Sequence, residues 1–318
     1  MKCTRCRKTQ AAVDLPSHHS AFCPECFFVF FRRQVEEGIR NFSLLSPGDR
    51  VLVCVSGGKD SLVLWDVLME LGYDTEGLYI DLGIEGYSSR SREKVQSYAG
   101  TRGKEPIVVD LHAEGVPIPL AAKSIRKEEC SVCGKVKRYF FNRVAAERGF
   151  TAVATGHNLD DEAARLLGNL LHWDRDYLSR QHPLLPGAGE GLVRKVKPLW
   201  RVSELETAAY GFLKGIDYVI EECPMSEHAT SLVYKDALSL IEEKMPGTRR
   251  KFYQGFLEES RRWKEEGADE ENAAALPGAC AVCGAPTYAE VCSFCRLKSR
   301  VTNPGDVLKT FYGFQGRS

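Results

Sequence analysis

Two groups of residues in this chain of 318 have the types and spacing to do chemistry. The first is Ser56-Gly57-Gly58-Lys59-Asp60-Ser61, directly after the apolar run Val51-Leu52-Val53-Cys54-Val55. The run reads as a buried parallel strand, the glycines as a sharp turn, and Asp60-Ser61 as the start of a helix reaching about Leu71. That geometry cradles phosphate. Glycine lets the backbone approach closely, and the first N–H groups of the helix point at the anion. Lys59 and Ser61 are placed to contact phosphate and Asp60 to organise Mg²⁺. The longer glycine-spaced loop ending in Gly-Lys-Ser/Thr, which marks ordinary P-loop NTPases, is not present.

The second group is the cysteines, twelve in all, of which ten form five Cys-x-x-Cys pairs and only Cys54 and Cys223 stand apart. The Met1-Lys2-Cys3-Thr4-Arg5-Cys6 start is no signal peptide, and no apolar run reaches membrane-spanning length. A cytoplasmic protein with no membrane association is therefore expected, and there cysteines bind metal rather than form disulfides. Cys3, Cys6, Cys23 and Cys26 have the two-knuckle spacing of a tetrahedral zinc site, and Cys280, Cys283, Cys292 and Cys295 have a more compact version of it. Closed four-thiolate sites leave zinc no position for substrate, so both are read as structural staples. His18 and His19, between the first knuckles, are read as surface loop residues rather than ligands.

Cys130-Ser131-Val132-Cys133 has no second pair beside it, and its distant partner is Cys223 in Glu221-Glu222-Cys223-Pro224. Three thiolates suit a four-iron cluster with one iron left free for substrate or sulfide. A redox dithiol or a lone structural metal accounts for the same spacing.

The surrounding elements must position these groups. Strand-like runs Gly77–Asp81, Pro106–Asp110, Thr151–Thr155 and Asp217–Ile220 alternate with helical patterns over Glu93–Arg102, Val136–Arg148 and Leu159–Leu171. This alternation predicts an α/β fold with a parallel sheet covered on both faces. Ligands then sit beyond the carboxyl ends of the strands. Ser56, Asp81 and Thr155-Gly156-His157 fall at those ends and, with Tyr79 and the loop, are the candidate nucleotide-binding residues. In this pattern Cys130 and Cys133 precede a helix beginning near Val136, and Arg175–Lys197 reads as a basic loop able to track an RNA backbone. Asn158-Leu159-Asp160-Asp161-Glu162 reads as a capped helix start with carboxylates able to hold Mg²⁺. Formal net charge is zero, so composition alone does not announce a nucleic-acid binder.

Together the motifs resemble the tRNA 2-thiolation enzymes of the TtuA type and their wobble-uridine relatives. The resemblance rests on the N-terminal knuckles, Ser56–Ser61, Cys130-x-x-Cys133 with Lys137-Arg138-Tyr139, Gly156–Glu162, Glu222-Cys223-Pro224 and the C-terminal ribbon. It implies a PP-loop ATP pyrophosphatase core flanked by two zinc modules, ATP cleaved to AMP and pyrophosphate, and a 4Fe-4S cluster on Cys130, Cys133 and Cys223. Catalytic roles for Lys137 and Asp161 beside Asp60 follow from the resemblance. So do tRNA as substrate, a ubiquitin-like sulfur carrier with a C-terminal thiocarboxylate, and often a homodimer. The expected organisation is a zinc module over 1–27, a linking helix over 28–48, the PP-loop domain over 49–225, a helical extension over 226–266, a linker over 267–278, a zinc ribbon over 279–300 and a tail over 301–318. The T-loop uridine, position 54, is favoured over the wobble position, 34. Adenylating ligases of the same fold that add nitrogen, and a non-catalytic RNA-binding zinc protein, are the alternatives.

Overall fold

Strand β3 (Arg50–Val55) carries Val51, Val53 and Val55 into one apolar cluster and Leu52 and Cys54 into another. Successive side chains of a strand point to opposite faces, so an uninterrupted apolar run needs cover on both sides. The computed structural model describes residues 1–189, 191–226, 230–265 and 276–302, and it supplies that cover. A hairpin, β1 (Val13–Leu15) and β2 (Ser20–Phe22), leads into α1 (Pro24–Asn41) ahead of β3. After β3 come α2 (Lys59–Glu70), β4 (Asp74–Asp81), α3 (Tyr87–Thr101), β5 (Ile107–Asp110), α4 (Ile118–Ile125) and α5 (Glu129–Glu147). Next are β6 (Ala152–Thr155), α6 (Leu159–Leu171), α7 (Arg175–Arg180), β7 (Leu184–Leu185), β8 (Arg194–Val196) and α8 (Glu204–Leu213). The chain continues with α9 (Thr230–Lys244), α10 (Thr248–Glu265), a hairpin of β9 (Gly278–Ala279) and β10 (Pro286–Thr287), and α11 (Ser293–Thr302).

The central sheet has six strands in the order β5-β4-β3-β6-β8-β7, parallel except where β7 runs against β8. The chain moves outward from β3 through β4 to β5, then returns to place β6 on the other side. The carboxyl ends of β3 and β6 therefore flank a topological switch point, where open α/β sheets bind ligands. One face is covered by α1, α2, α3, α6, α8 and α10 with the N-terminal cysteine module; the other by α4 and α5 with the C-terminal one. Close packing sets one glycine: a Cβ on Gly77 would stand 2.5 Å from the ring of buried Trp65, so no larger residue fits there.

Several elements differ from the sequence expectation. Asp217–Ile220 is not a strand; Val219 donates its N–H to the Gly57 carbonyl at 2.9 Å, and Ile220 is exposed. The sheet is extended instead by β8 and β7, within the segment expected to be loop throughout. Arg194 and Lys195 disguise β8, since a strand with charged side chains does not read as a buried run. The helix expected from Val136 begins at Glu129, because Val132, Val136 and Phe140, spaced by four, form one buried stripe. Cys130 and Cys133 thus lie on a helix, not before one. The expected tail over 301–318 falls outside the described residues beyond Thr302, as does most of the expected linker over 267–278.

Candidate active site at the carboxyl ends of the strands

The turn after β3 is held by its own side chains. Ser56 donates its N–H to Ser61 Oγ at 3.0 Å, and Ser61 Oγ donates to the Gly58 carbonyl at 2.9 Å. Gly57 has φ 84°, in the left-handed region, and a Cβ there would stand 2.8 Å from the Ser91 carbonyl oxygen. Gly58 is the N-cap of α2 and offers no side-chain acceptor, which leaves the first helical N–H groups to an incoming anion. Gly156 lets the end of β6 approach this loop, since a Cβ would lie 2.9 Å from Ser61 N.

A chain of alternating charges borders the loop. Lys59 Nζ bonds Asp60 Oδ2 at 3.1 Å and Glu204 Oε1 at 2.7 Å. Lys235 Nζ bonds Glu204 Oε2 at 3.3 Å and Asp161 Oδ1 at 2.5 Å. Thr207 Oγ1 donates to Asp60 Oδ1. Burial, joined by the charge of Asp161, holds the Asp60 carboxyl above its usual range although Lys59 and Thr207 oppose it. Asp60 and Asp161 thus place two carboxylates, each paired with a lysine, beside the phosphate loop. Asp161 also caps α6: Asn158 accepts from the Asp161 N–H, and Asp161 Oδ2 accepts from the Asn158 N–H, both at 3.1 Å. His157 Nδ1 pairs with Thr155 Oγ1 at 2.8 Å, and burial pushes the ring's pKa down. Behind it, buried Glu162 pairs with Lys197 at 2.7 Å and accepts from Tyr253 at 3.1 Å.

On the other side of the loop is a cavity of about 340 Å³, whose lining includes Ser56, Tyr79, Cys130, Cys133, Lys137 and Cys223. Cys130 and Cys133, three apart on α5, share one helix face. Cys130 Sγ donates to the Met225 carbonyl at 3.3 Å, tying α5 to the Cys223 loop. Burial, and then the neighbouring sulfurs, raise the thiol of Cys130; burial raises that of Cys223 against an opposing backbone hydrogen bond from Met225. The sequence thus left Cys223 far away, and the fold brings it to the cavity wall. Cys54 also lines the cavity, from the buried strand. Of these four thiols, the three of Cys130, Cys133 and Cys223 lie outside the sheet, and around a cavity larger than one ion needs they fit a cluster better than a lone zinc.

The candidate ATP residues divide between settings. Ser56 and Tyr79 line the cavity, with the Tyr79 hydroxyl donating to the Ser88 carbonyl at 2.7 Å. His157 and Asp161 line a second groove, of about 400 Å³, with Arg165 and Lys235. Asp81 instead closes a turn by accepting the Gly83 N–H at 3.0 Å. The sequence reading missed Glu204, Thr207 and Lys235, because sequence spacing does not connect these residues with Lys59, Asp60 or Asp161.

Both four-cysteine sets gather their sulfurs within 4.8 Å, which the three cavity cysteines do not. Cys6 and Cys23 Sγ lie 4.0 Å apart, and Cys283 and Cys292 Sγ 3.8 Å. A zinc tetrahedron with bonds of about 2.3 Å has edges of about 3.8 Å, so both sets fit that ion. Against the push of burial, backbone N–H groups of Cys6, Cys23 and Arg5 lower the Cys3 thiol to about 6; those of Cys292, Cys283 and Val282 do the same for Cys280. His18 is not a free surface residue: its Nε2 lies 2.8 Å from buried Glu206, and Arg250 joins them. His19 is exposed, at φ 49°.

A family model described as "2-thiouridine synthetase TtuA, N-terminal LIM domain" matches residues 2–28, and a "PP-loop domain" model matches residues 30–227. The tRNA-5-methyluridine(54) 2-sulfurtransferase of Thermus thermophilus is 49% identical over 298 residues, covering 93% of this chain and 91% of that protein. The enzyme of the same name from Thermotoga maritima is 41% identical over 305 residues, covering 95% and 97%. Among solved structures, the U34-tRNA thiolase NcsA from Methanococcus maripaludis with its 4Fe-4S cluster superposes with a TM-score of 0.74 at 24% identity, covering 93% of this chain and 95% of that one; this likeness speaks to the fold.

Proposed function

This chain belongs to the TtuA-type family of PP-loop tRNA 2-thiolation enzymes and is a tRNA sulfurtransferase, and from that premise we propose that it exchanges the C2 oxygen of uridine 54 for sulfur while splitting ATP to AMP and pyrophosphate. The names of the curated relatives support position 54 over the wobble position. One observation carries the mechanism: Ser56 of the phosphate loop and the thiols of Cys130, Cys133 and Cys223 face one cavity. Activation and sulfur delivery can then act on the same carbon.

A uridine C2 oxygen is a poor leaving group. Its attack on the α-phosphorus of ATP forms a C2–O–P linkage and expels pyrophosphate. Sulfur then bonds to C2, and the C2–O bond breaks with the electron pair leaving on AMP. The loop N–H groups and Lys59 would stabilise charge developing on the phosphates, and Asp60 with Asp161 would hold Mg²⁺ beside them. Lys137, on the cavity wall, would offset negative charge on the adenylated base. Cys130, Cys133 and Cys223 would hold a 4Fe-4S cluster, which when bound supplies an iron free of protein ligands where sulfur can be held. The sulfur donor is proposed to be a ubiquitin-like carrier with a C-terminal thiocarboxylate, and the working unit a homodimer. Both proposals rest on the family resemblance. Zinc is proposed for Cys3, Cys6, Cys23 and Cys26 and for Cys280, Cys283, Cys292 and Cys295.

The test is mass spectrometry of tRNA nucleosides, mapped by position, with and without the gene. Loss of 2-thiolation at position 54 is expected. Loss only at position 34, or an unchanged profile, would overturn the proposed substrate.

A further inference from the structure

The charge chain beside the loop has an unusual link. Glu204 offers one oxygen to Lys59 at 2.7 Å and the other to Lys235 at 3.3 Å, so one carboxylate bridges two ammonium groups at the border of the phosphate loop. The lysines come from different elements, α2 and α9, and the carboxylate from a third, α8. Among the described residues, the hydrogen bonds of this carboxylate are to those two lysines. The Glu204 side chain is 40% exposed, whereas its backbone N–H is anchored to Asp160 Oδ2 at 3.0 Å. The carboxylate can therefore swing away while α8 stays in place.

Carboxylate and phosphate oxygens are interchangeable acceptors for an ammonium donor, and a phosphate carries more charge. Each lysine also has a carboxylate of its own, Asp60 for Lys59 and Asp161 for Lys235. If Glu204 leaves, both ammonium groups stay oriented and gain an open donor direction.

We infer that Glu204 holds the place of a phosphate oxygen and that Lys235 is a second phosphate-binding cation of this site, acting with Lys59 on the pyrophosphate half of ATP. This deepens the proposed function and rests on Ser56–Ser61 being a pyrophosphate-binding loop. Glu204 screens the two lysines from each other in the free protein and yields to the β- and γ-phosphates. The same pair then retains pyrophosphate after the α–β bond breaks, so Lys235 slows product release as well as strengthening ATP binding.

The experiment is calorimetric titration of the full chain with inorganic pyrophosphate and Mg²⁺, which needs neither tRNA nor sulfur. Lys235→Met should weaken binding by about tenfold, the loss of one charge-assisted hydrogen bond. Lys235→Arg should keep most of the affinity, which a merely structural role for the lysine stem would not require. Glu204→Gln should tighten binding several-fold, because the competing anion is gone. Gly57→Val, which forces a side chain against the Ser91 carbonyl, serves as the loop control and should abolish binding. Loss in Gly57→Val with none in Lys235→Met overturns the role of Lys235 and leaves the loop assignment standing. Wild-type affinity in both overturns the two together. Weakening in Glu204→Gln comparable to that in Lys235→Met overturns the placeholder, since the carboxylate would then be organising the lysines.

Discussion

In the N-terminal cysteine module Cys3, Cys23 and Cys26 are buried, and the packing continues through Phe27 and Phe31 into the cluster under Val51 and Val53. In the C-terminal module Cys283 is exposed, and the packing runs through Phe294 onto α5 and the cluster around Leu52 and Cys54. The two modules present the same four-thiolate ligands to opposite faces of one sheet. Phe31 and Phe28 meet Tyr210 of α8 at ring separations of 4.4 and 5.4 Å, and His18 meets Glu206 of the same helix. That helix also carries Glu204 and Thr207, the partners of Lys59 and Asp60. Phe294 stacks on Tyr139 of α5 at 3.9 Å, and α5 carries Cys130, Cys133 and Lys137. One module thus steadies the half of the site proposed to handle phosphate, the other the half proposed to handle sulfur.

Separating the two halves gives the largest expected effect. Cys223→Ala should abolish tRNA thiolation and leave Mg²⁺-pyrophosphate binding intact, whereas Asp60→Ala should lose both; normal thiolation by Cys223→Ala would sink the cysteine assignment. The modules themselves should differ in what they hold. Phe31→Ala, at a fully buried ring, should cost about 3–5 kcal/mol in urea denaturation, and Phe294→Ala the lower end of that range. The second change should depress thiolation more than pyrophosphate binding. Equal losses of both activities in the two variants would erase the division of labour. Metal analysis should find about two zinc ions per chain, one per set of four thiolates. A competing chelator should remove them in two phases, with the C-terminal ion first because of exposed Cys283.

The smallest effect concerns acid stability on the phosphate side. Burial holds His157 below its ordinary value of 6.5, so the unfolded chain takes up a proton first as pH falls. Stability contributed by neutral His157 is complete above pH 6.5 and declines as pH drops toward the folded value, by about 1.4 kcal/mol per pH unit within that window. His157→Gln should flatten this part of a stability–pH curve, and an unchanged slope would show that the ring is not the group responsible.

How much of this was legible depended on how local the physics is. The phosphate loop reads directly, because a glycine turn between an apolar strand and a helix start is contiguous in sequence. The cysteine sets read for the same reason: tetrahedral coordination constrains short Cys-x-x-Cys knuckles. The start of α5 is readable in the stripe of Val132, Val136 and Phe140, although Gly134, a weak helix former, interrupts the pattern. By contrast β8 was hidden, because Arg194 and Lys195 carry charges in a strand whose neighbours, not its composition, make it part of the sheet.

The sequence by itself determined the strand–loop–helix unit, the two four-cysteine sets suited to a metal and the α/β alternation, since each follows from neighbouring residues obeying backbone geometry or ligand spacing. Only the tertiary structure decided that the two cysteine modules take opposite faces, that Cys130, Cys133 and Cys223 share their cavity with Ser56, and that Glu204 sits between Lys59 and Lys235. Contacts between residues far apart in the chain leave no periodic trace. They exist because the parallel sheet carries its loops to one edge, where charges and thiols from distant segments must find partners.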